Sequence, residues 1–181
     1  MSENKKQAAT TVARQHIMEA MLSVLRQQGA NALTLDAVAR EAGISKGGLL
    51  HHYPDKNTLL ESLTRFLIEQ FNQRVEMQYE REEVTQGRWL RAYLRVSFEA
   101  DDSTYDLGGI ITLLAQNQTA IQLAHVDSQR WIERFTSDGV SVVRAELLKR
   151  VADSQWVEQL MMPSPRGQQE LLNEALSLVD S

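Results

Sequence analysis

Residues 34–56 read TLDAVAREAGISKGGLLHHYPDK, and this stretch decides the fold. Thr34 is of the N-cap type, and the helical repeat behind it turns Leu35, Val38, Ala39 and Ala42 to one side. Gly43 follows, where a tight reversal needs a backbone that a side chain would strain. Ser45 is a second N-cap, opening another short helix that Pro54, lacking an N–H, must end. Two short helices joined by a glycine turn are the layout of a helix-turn-helix.

The second of these helices begins Lys46-Gly47-Gly48. Its first turn therefore combines the positive end of the helix dipole, exposed backbone N–H groups and a lysine, all suited to an anion. Each glycine costs roughly 1 kcal/mol relative to alanine in a helix. A helix needed only for packing has little reason to carry two of them. Residues without bulk let a helix enter the major groove and bring its N-terminal positions to base edges. The alternative is an ordinary corner of two helices with a decorated surface.

Working outward, Val12, His16, Ala20, Val24 and Leu25, with Ile17 and Met21 beside them, mark an amphipathic helix that Gly29 ends. On the other side Asp55 caps a long helix carrying Leu59, Leu60, Leu63, Phe66, Leu67 and Phe71. After a break at residues 85–87, helical spacing resumes through Trp89, Leu90, Tyr93, Leu94, Val96 and Phe98. An acidic linker at 101–103 precedes a segment at 107–114. Helices then follow over 121–135, 140–162 and 168–179. No strand pattern appears. The expectation is an all-α chain of about nine helices.

Composition narrows the class. No apolar run approaches the roughly 20 residues of a membrane-spanning helix. The N-terminal residues lack the apolar stretch of a signal peptide, which makes the cytoplasm the expected compartment. With no cysteine there is no disulfide, thiolate zinc site or cysteine nucleophile. The net charge of −5 is unevenly spread. Residues 1–56 hold seven Lys/Arg against five Asp/Glu, and residues 57–181 hold twelve against nineteen. A polyanion would meet the basic head and be repelled by the acidic body.

The first helix, Gly29, Thr34, Ala39, Ala42-Gly43, Ser45-Lys46-Gly47, Leu49, His51-His52-Tyr53-Pro54, Lys56 and Leu59-Leu60 together resemble the DNA-binding domain of the TetR family of transcriptional regulators. The resemblance is tight over about residues 10–70. It implies an N-terminal three-helix helix-turn-helix domain over 10–56, behind a disordered tail at 1–9. Residues 57–181 would form a helical ligand-binding and dimerisation domain. Its DNA-binding set here is Thr34, Ser45, Lys46, Gly47, Gly48, Leu50, His51, His52, Tyr53 and Lys56. By that likeness Thr34 caps the first helix of the motif and meets a phosphate. Lys46, Gly47 and Gly48 sit where the family reads bases or lines the groove. His51, His52 and Tyr53 fall at the far end of the recognition helix, where contact to phosphate alternates with packing, and Lys56 matches the phosphate clamp. Leu50 departs from the pattern, which has a tyrosine there; a leucine offers instead an apolar contact to a thymine methyl.

For the body, the resemblance implies an apolar effector pocket drawing on Phe66, Trp89, Tyr93 and Trp131, with Asn117 and His125 as polar anchors. The effector itself would be small and largely apolar. Apolar stripes on the last two helices, including Val143, Leu147 and Val151 on one and Leu172, Leu176 and Val179 on the other, fit a four-helix bundle across a two-fold axis. Burial of both stripes inside one protomer is the alternative. The expected partners are double-stranded DNA, a second copy of the chain and the effector, with no membrane, metal or cofactor. The function implied is a ligand-responsive repressor. Two rivals are an enzyme and a helical protein–protein adaptor. The chain has no HExxH, no glycine-rich phosphate loop and no readable Ser-His-Asp cluster. The adaptor draws on Leu50 and the overall negative charge, whereas Lys46, Gly47 and Lys56 oppose it.

Overall fold

The computed structural model describes residues 2–99, 113–161 and 167–179. Among the described residues there are eight α-helices, one 3-10 turn and no strand. The helices are α1 (Ser2–Gln28), α2 (Leu35–Glu41), α3 (Lys46–His52), α4 (Lys56–Tyr79), α5 (Arg88–Phe98), α6 (Gln118–Ser137), α7 (Val142–Met161) and α8 (Gln168–Val179). The 3-10 turn, Ala30–Ala32, joins α1 to α2. The segment expected at 107–114 lies outside the described residues except for its last two.

Helix α1 differs from the expectation at its start, running unbroken from Ser2 where a disordered tail over 1–9 was expected. Residues 2–11, SENKKQAATT, contain no glycine or proline and several good helix formers, so nothing in them stops the helix. The expectation of a tail followed from the missing apolar repeat. Such a repeat reports a buried face, not helicity itself.

The chain divides into two compact units, Met1–Phe66 with Ser103–Ile121, and Leu67–Asp102 with Gln122–Ser181. The division falls inside α4 instead of before it at 56/57. Leu59, Leu60 and Leu63 explain this, because all three are buried and belong to the first unit's core with Ile17, Met21, Leu25, Val38 and Leu49.

The second unit is organised around α5, which packs on α7 and α8. Leu90, Tyr93, Leu94, Val96 and Phe98 are all buried there, with Trp131 and Phe135 of α6 and Leu148, Leu172, Ala175 and Val179 of α7 and α8. The Tyr93 ring meets those of Trp131 and Phe135 edge-on at 5.2 and 5.3 Å. Its hydroxyl donates to Asp153 at 2.7 Å, and the other oxygen of that carboxylate takes Lys149 at 2.6 Å. Burial, reinforced by the Asp153 charge, pushes the Tyr93 phenol well above its ordinary range, so it stays a neutral donor. Gly87 precedes α5 in the left-handed region, with φ 76°. A Cβ there would collide with Val179 and lie 3.3 Å from Val140, so the close approach of these segments requires glycine.

Candidate nucleic-acid interface

Each local signal in residues 34–56 has a hydrogen bond behind it. Thr34 Oγ1 accepts from the Ala37 backbone N–H at 3.1 Å and opens α2. At the other end Gly43, at φ 64°, reverses the chain. The Gly43 N–H donates to the Arg40 carbonyl at 3.1 Å and the Ile44 N–H to the Ala39 carbonyl at 3.0 Å. That pair of bonds is a Schellman cap, which satisfies the last carbonyls of α2. A His16 ring nitrogen lies 3.1 Å from the Ala42 carbonyl and ties α1 to the same corner. Ser45 Oγ then accepts from the Gly48 N–H at 3.0 Å and opens α3. Thr34 and Ser45 thus act first as caps, setting the angle at which α3 is held.

Two anchors decide which way α3 faces. Leu49 has no exposure and Tyr53 only 3%. Tyr53 therefore packs within the first unit. Burial raises its phenol pKa, while a hydrogen bond with Ser62 and the Arg14 charge act the other way. His52 and Leu50 are half-buried, with the His52 ring 5.5 Å from that of His51 and 6.4 Å from that of Tyr53. Left on the outer face are Lys46, Gly47, Gly48 and His51. A Cβ at Gly47 would meet nothing within 4 Å, so the fold places no demand for glycine there.

Lys56, the first residue of α4, is exposed and makes no ion pair among the described residues. The helix that Lys56 opens is capped by Asp55, whose carboxylate accepts from the Thr58 N–H at 2.7 Å and from the Thr58 hydroxyl at 3.0 Å. These bonds hold the Asp55 carboxyl below the ordinary range. A free cation at a helix N-terminus opposes the dipole, and an anion arriving there would remove the conflict.

One residue beside this surface escaped the sequence reading. Asp36, in the first turn of α2, binds the Lys46 ammonium at 2.9 Å. The two lie ten positions apart on different helices, so no local spacing rule connects them.

Comparison with known proteins places the chain in a family. Residues 17–63 match the model of the bacterial regulatory proteins of the tetR family, and residues 87–180 match that of the tetracyclin repressor-like C-terminal domain. The chain belongs to the TetR family. Among curated TetR-family proteins it is 35% identical to the HTH-type transcriptional regulator BetI of Serratia proteamaculans over 66 residues, 36% of this chain and 33% of that protein. It is 31% identical to the BetI of Yersinia pestis over 105 residues, 58% of this chain and 52% of that one. The chain thus spans a third to a half of the length of these relatives. A TetR transcription regulator from Haloarcula marismortui superposes with a TM-score of 0.79 at 16% identity, over 94% of this chain and 97% of the other. The multidrug binding protein EbrR, complexed with malachite green, superposes at 0.69 with 19% identity, over 91% and 96%. At these identities the likeness is one of fold.

In this TetR-family chain the residues expected at the effector site are divided. Phe66 and Asn117 belong to the first unit, and Trp89, Tyr93, His125 and Trp131 to the second. Asn117 is buried and caps α6, its Oδ1 accepting from the Ala120 N–H at 2.9 Å. Tyr93 and Trp131 are core residues, the Trp131 indole donating to Asn72 at 3.1 Å. Trp89 is half-buried and stacks on Tyr79 at 3.8 Å, while His125 is exposed. A half-open cleft of about 380 Å³ is lined by Trp131 with Asn72, Asp127 and Arg134, so that polar and apolar surface both face it.

The stripes on the last two helices also split. Val143 is 79% and Leu147 53% exposed on α7, with Val151 half-buried. On α8, Leu172 and Val179 lie in the chain's own core and Leu176 packs against it. The outward apolar residues of α8 are Leu171 and Leu178, each 39% exposed. Apolar positions on α8 cover more than one face, so periodicity alone could not separate the inner from the outer set. No helix among the described residues is long and apolar enough to cross a membrane.

Proposed function

We propose that this chain is a ligand-responsive transcriptional regulator, a cytoplasmic repressor that binds a palindromic operator as a homodimer and leaves it when a small molecule binds the helical body. The observation that carries the reading is the outer face of α3. It is cleared of side-chain bulk at Gly47 and Gly48, and a lysine and a histidine flank the cleared positions. The buried Leu49 and Tyr53 hold it outward, and two caps and a Schellman turn fix its angle. Such a helix fits a major groove, with Lys46 and His51 at base edges or sugars and Lys56 on a phosphate.

One recognition helix contacts too few base pairs to choose a site, and two-fold repetition at about one helical turn, roughly 34 Å, supplies the rest. The exposed Val143 and Leu147, one turn apart on α7, and the exposed Leu171 on α8 support self-association through these two helices. Effector release then follows from linkage. A small molecule that prefers a dimer with its recognition helices at another separation draws the population away from the DNA-bound form. A preference of about 100-fold, roughly 2.7 kcal/mol, is sufficient at moderate protein concentration. The EbrR complex with malachite green supports a small-molecule effector by likeness of fold.

The test is a selection from a random duplex pool, followed by binding titrations at several salt concentrations. A two-fold symmetric consensus is expected. The logarithm of affinity should fall linearly with that of salt, by about 0.9 for each phosphate neutralised. A selected duplex retained no better than a scrambled one would overturn the reading.

A further inference from the structure

Lys46 sits at the start of α3, on the surface assigned to DNA, yet its ammonium is not free. Asp36 holds it at 2.9 Å, across from the neighbouring helix. Both side chains are more than half exposed, so nothing buried forces the pair together. The local electrostatics does. A cation in the first turn of α3 opposes that helix's dipole, whereas a carboxylate in the first turn of α2 is favoured by its own. The pair relieves the misplaced lysine and puts a negative charge beside the groove-facing end of α3.

We propose that Asp36 is a specificity-determining residue, a carboxylate latch on Lys46 that suppresses sequence-independent binding to duplex DNA. The proposal rests on the DNA-binding reading above. A phosphate backbone that takes Lys46 must first remove it from Asp36, and the carboxylate is then left unpaired against a polyanion. Any duplex pays that penalty. A site that presents an exocyclic amine, such as cytosine N4, lets Asp36 accept a hydrogen bond while Lys46 finds a guanine edge, and recovers it. Discrimination thus comes from a repulsive element that only the right sequence neutralises.

The experiment measures affinity for a scrambled duplex and for the selected duplex over a salt series, with the full chain. Four proteins are compared: wild type, Asp36→Asn, Lys46→Met and the double variant. An exposed pair of this kind shifts an equilibrium by about 1.5- to 5-fold. Asp36→Asn should therefore tighten scrambled-duplex binding several-fold, and the salt dependence should steepen by about one phosphate equivalent, roughly 0.9 in slope. Affinity for the selected duplex should rise less, so the ratio of the two falls. In the Lys46→Met background the substitution at 36 should lose most of its effect. Three outcomes overturn the latch: unchanged scrambled-duplex affinity, equal weakening on both duplexes, or an Asp36→Asn gain that survives intact without Lys46. Thermal melting of each variant separates these outcomes from misfolding. Failure of the DNA-binding reading is distinct, because it would appear in the wild type as no preference for the selected duplex.

Discussion

Replacing Gly47 by alanine tests whether the outer face of α3 is shaped by the fold or by a partner. Gly47 is the second residue of α3, is exposed, has no positive φ, and an added Cβ meets no atom within 4 Å. Alanine is therefore free of strain here, and the exchange should stabilise the protein by about 0.5–1 kcal/mol through helix propensity and a less flexible unfolded chain. For a chain of this size that is a rise of roughly 1–4 °C in melting temperature. Against DNA the sign reverses. A methyl group between α3 and the groove wall pushes the helix back, and losing one good base contact costs about 1–3 kcal/mol, or some 5- to 150-fold in affinity. Gly48→Ala is the control, because its Cβ would lie 3.2 Å from Ser45 Oγ and disturb the cap that opens α3. Its gain in stability should be cancelled. Differential scanning calorimetry and fluorescence anisotropy on the selected duplex give the two readouts. If Gly47→Ala raises stability and leaves DNA affinity untouched, α3 does not face a groove and the functional reading fails at its base.

Lys56→Ala should weaken binding to selected and scrambled duplexes alike and reduce the salt slope by about one phosphate equivalent; a change confined to the selected sequence would assign the lysine to base reading instead. Val143→Glu combined with Leu147→Glu should yield a folded species of half the mass in sedimentation velocity, because both side chains lie outside the protomer core; an unchanged mass places the interface elsewhere. Gly87→Ala should cost at least about 1–3 kcal/mol, since it adds a Cβ at positive φ against Val179, and denaturant titration would read the loss. Asp55 predicts a pH effect. Its folded-state carboxyl titrates below the ordinary value, so the stabilisation it gives is complete above the unfolded carboxylate range and disappears as the pH falls through its lowered value. Asp55→Asn should remove that portion of the acid-side loss of stability and leave the neutral-to-alkaline limb unchanged.

What the sequence determined was local. Thr34, Gly43, Ser45, Pro54 and Asp55 act within a few residues of themselves, through caps, turns and a missing N–H, so their roles were readable from spacing, and with them the helix-turn-helix. Tertiary structure decided whatever depends on which face a residue turns and what stands opposite it. Leu172 and Val179 share a stripe with Leu171, but only the packing of α8 against α5 sends the first two inward. Tyr93 reads as a pocket wall until its neighbours fill the space around it, whereas Trp131, packed among the same rings, still borders a cleft. Asp36 and Lys46 meet only because the glycine turn brings the starts of α2 and α3 together. Helical periodicity says that a face is apolar; it carries no information on which of two partners covers that face, because burial is a property of the pair.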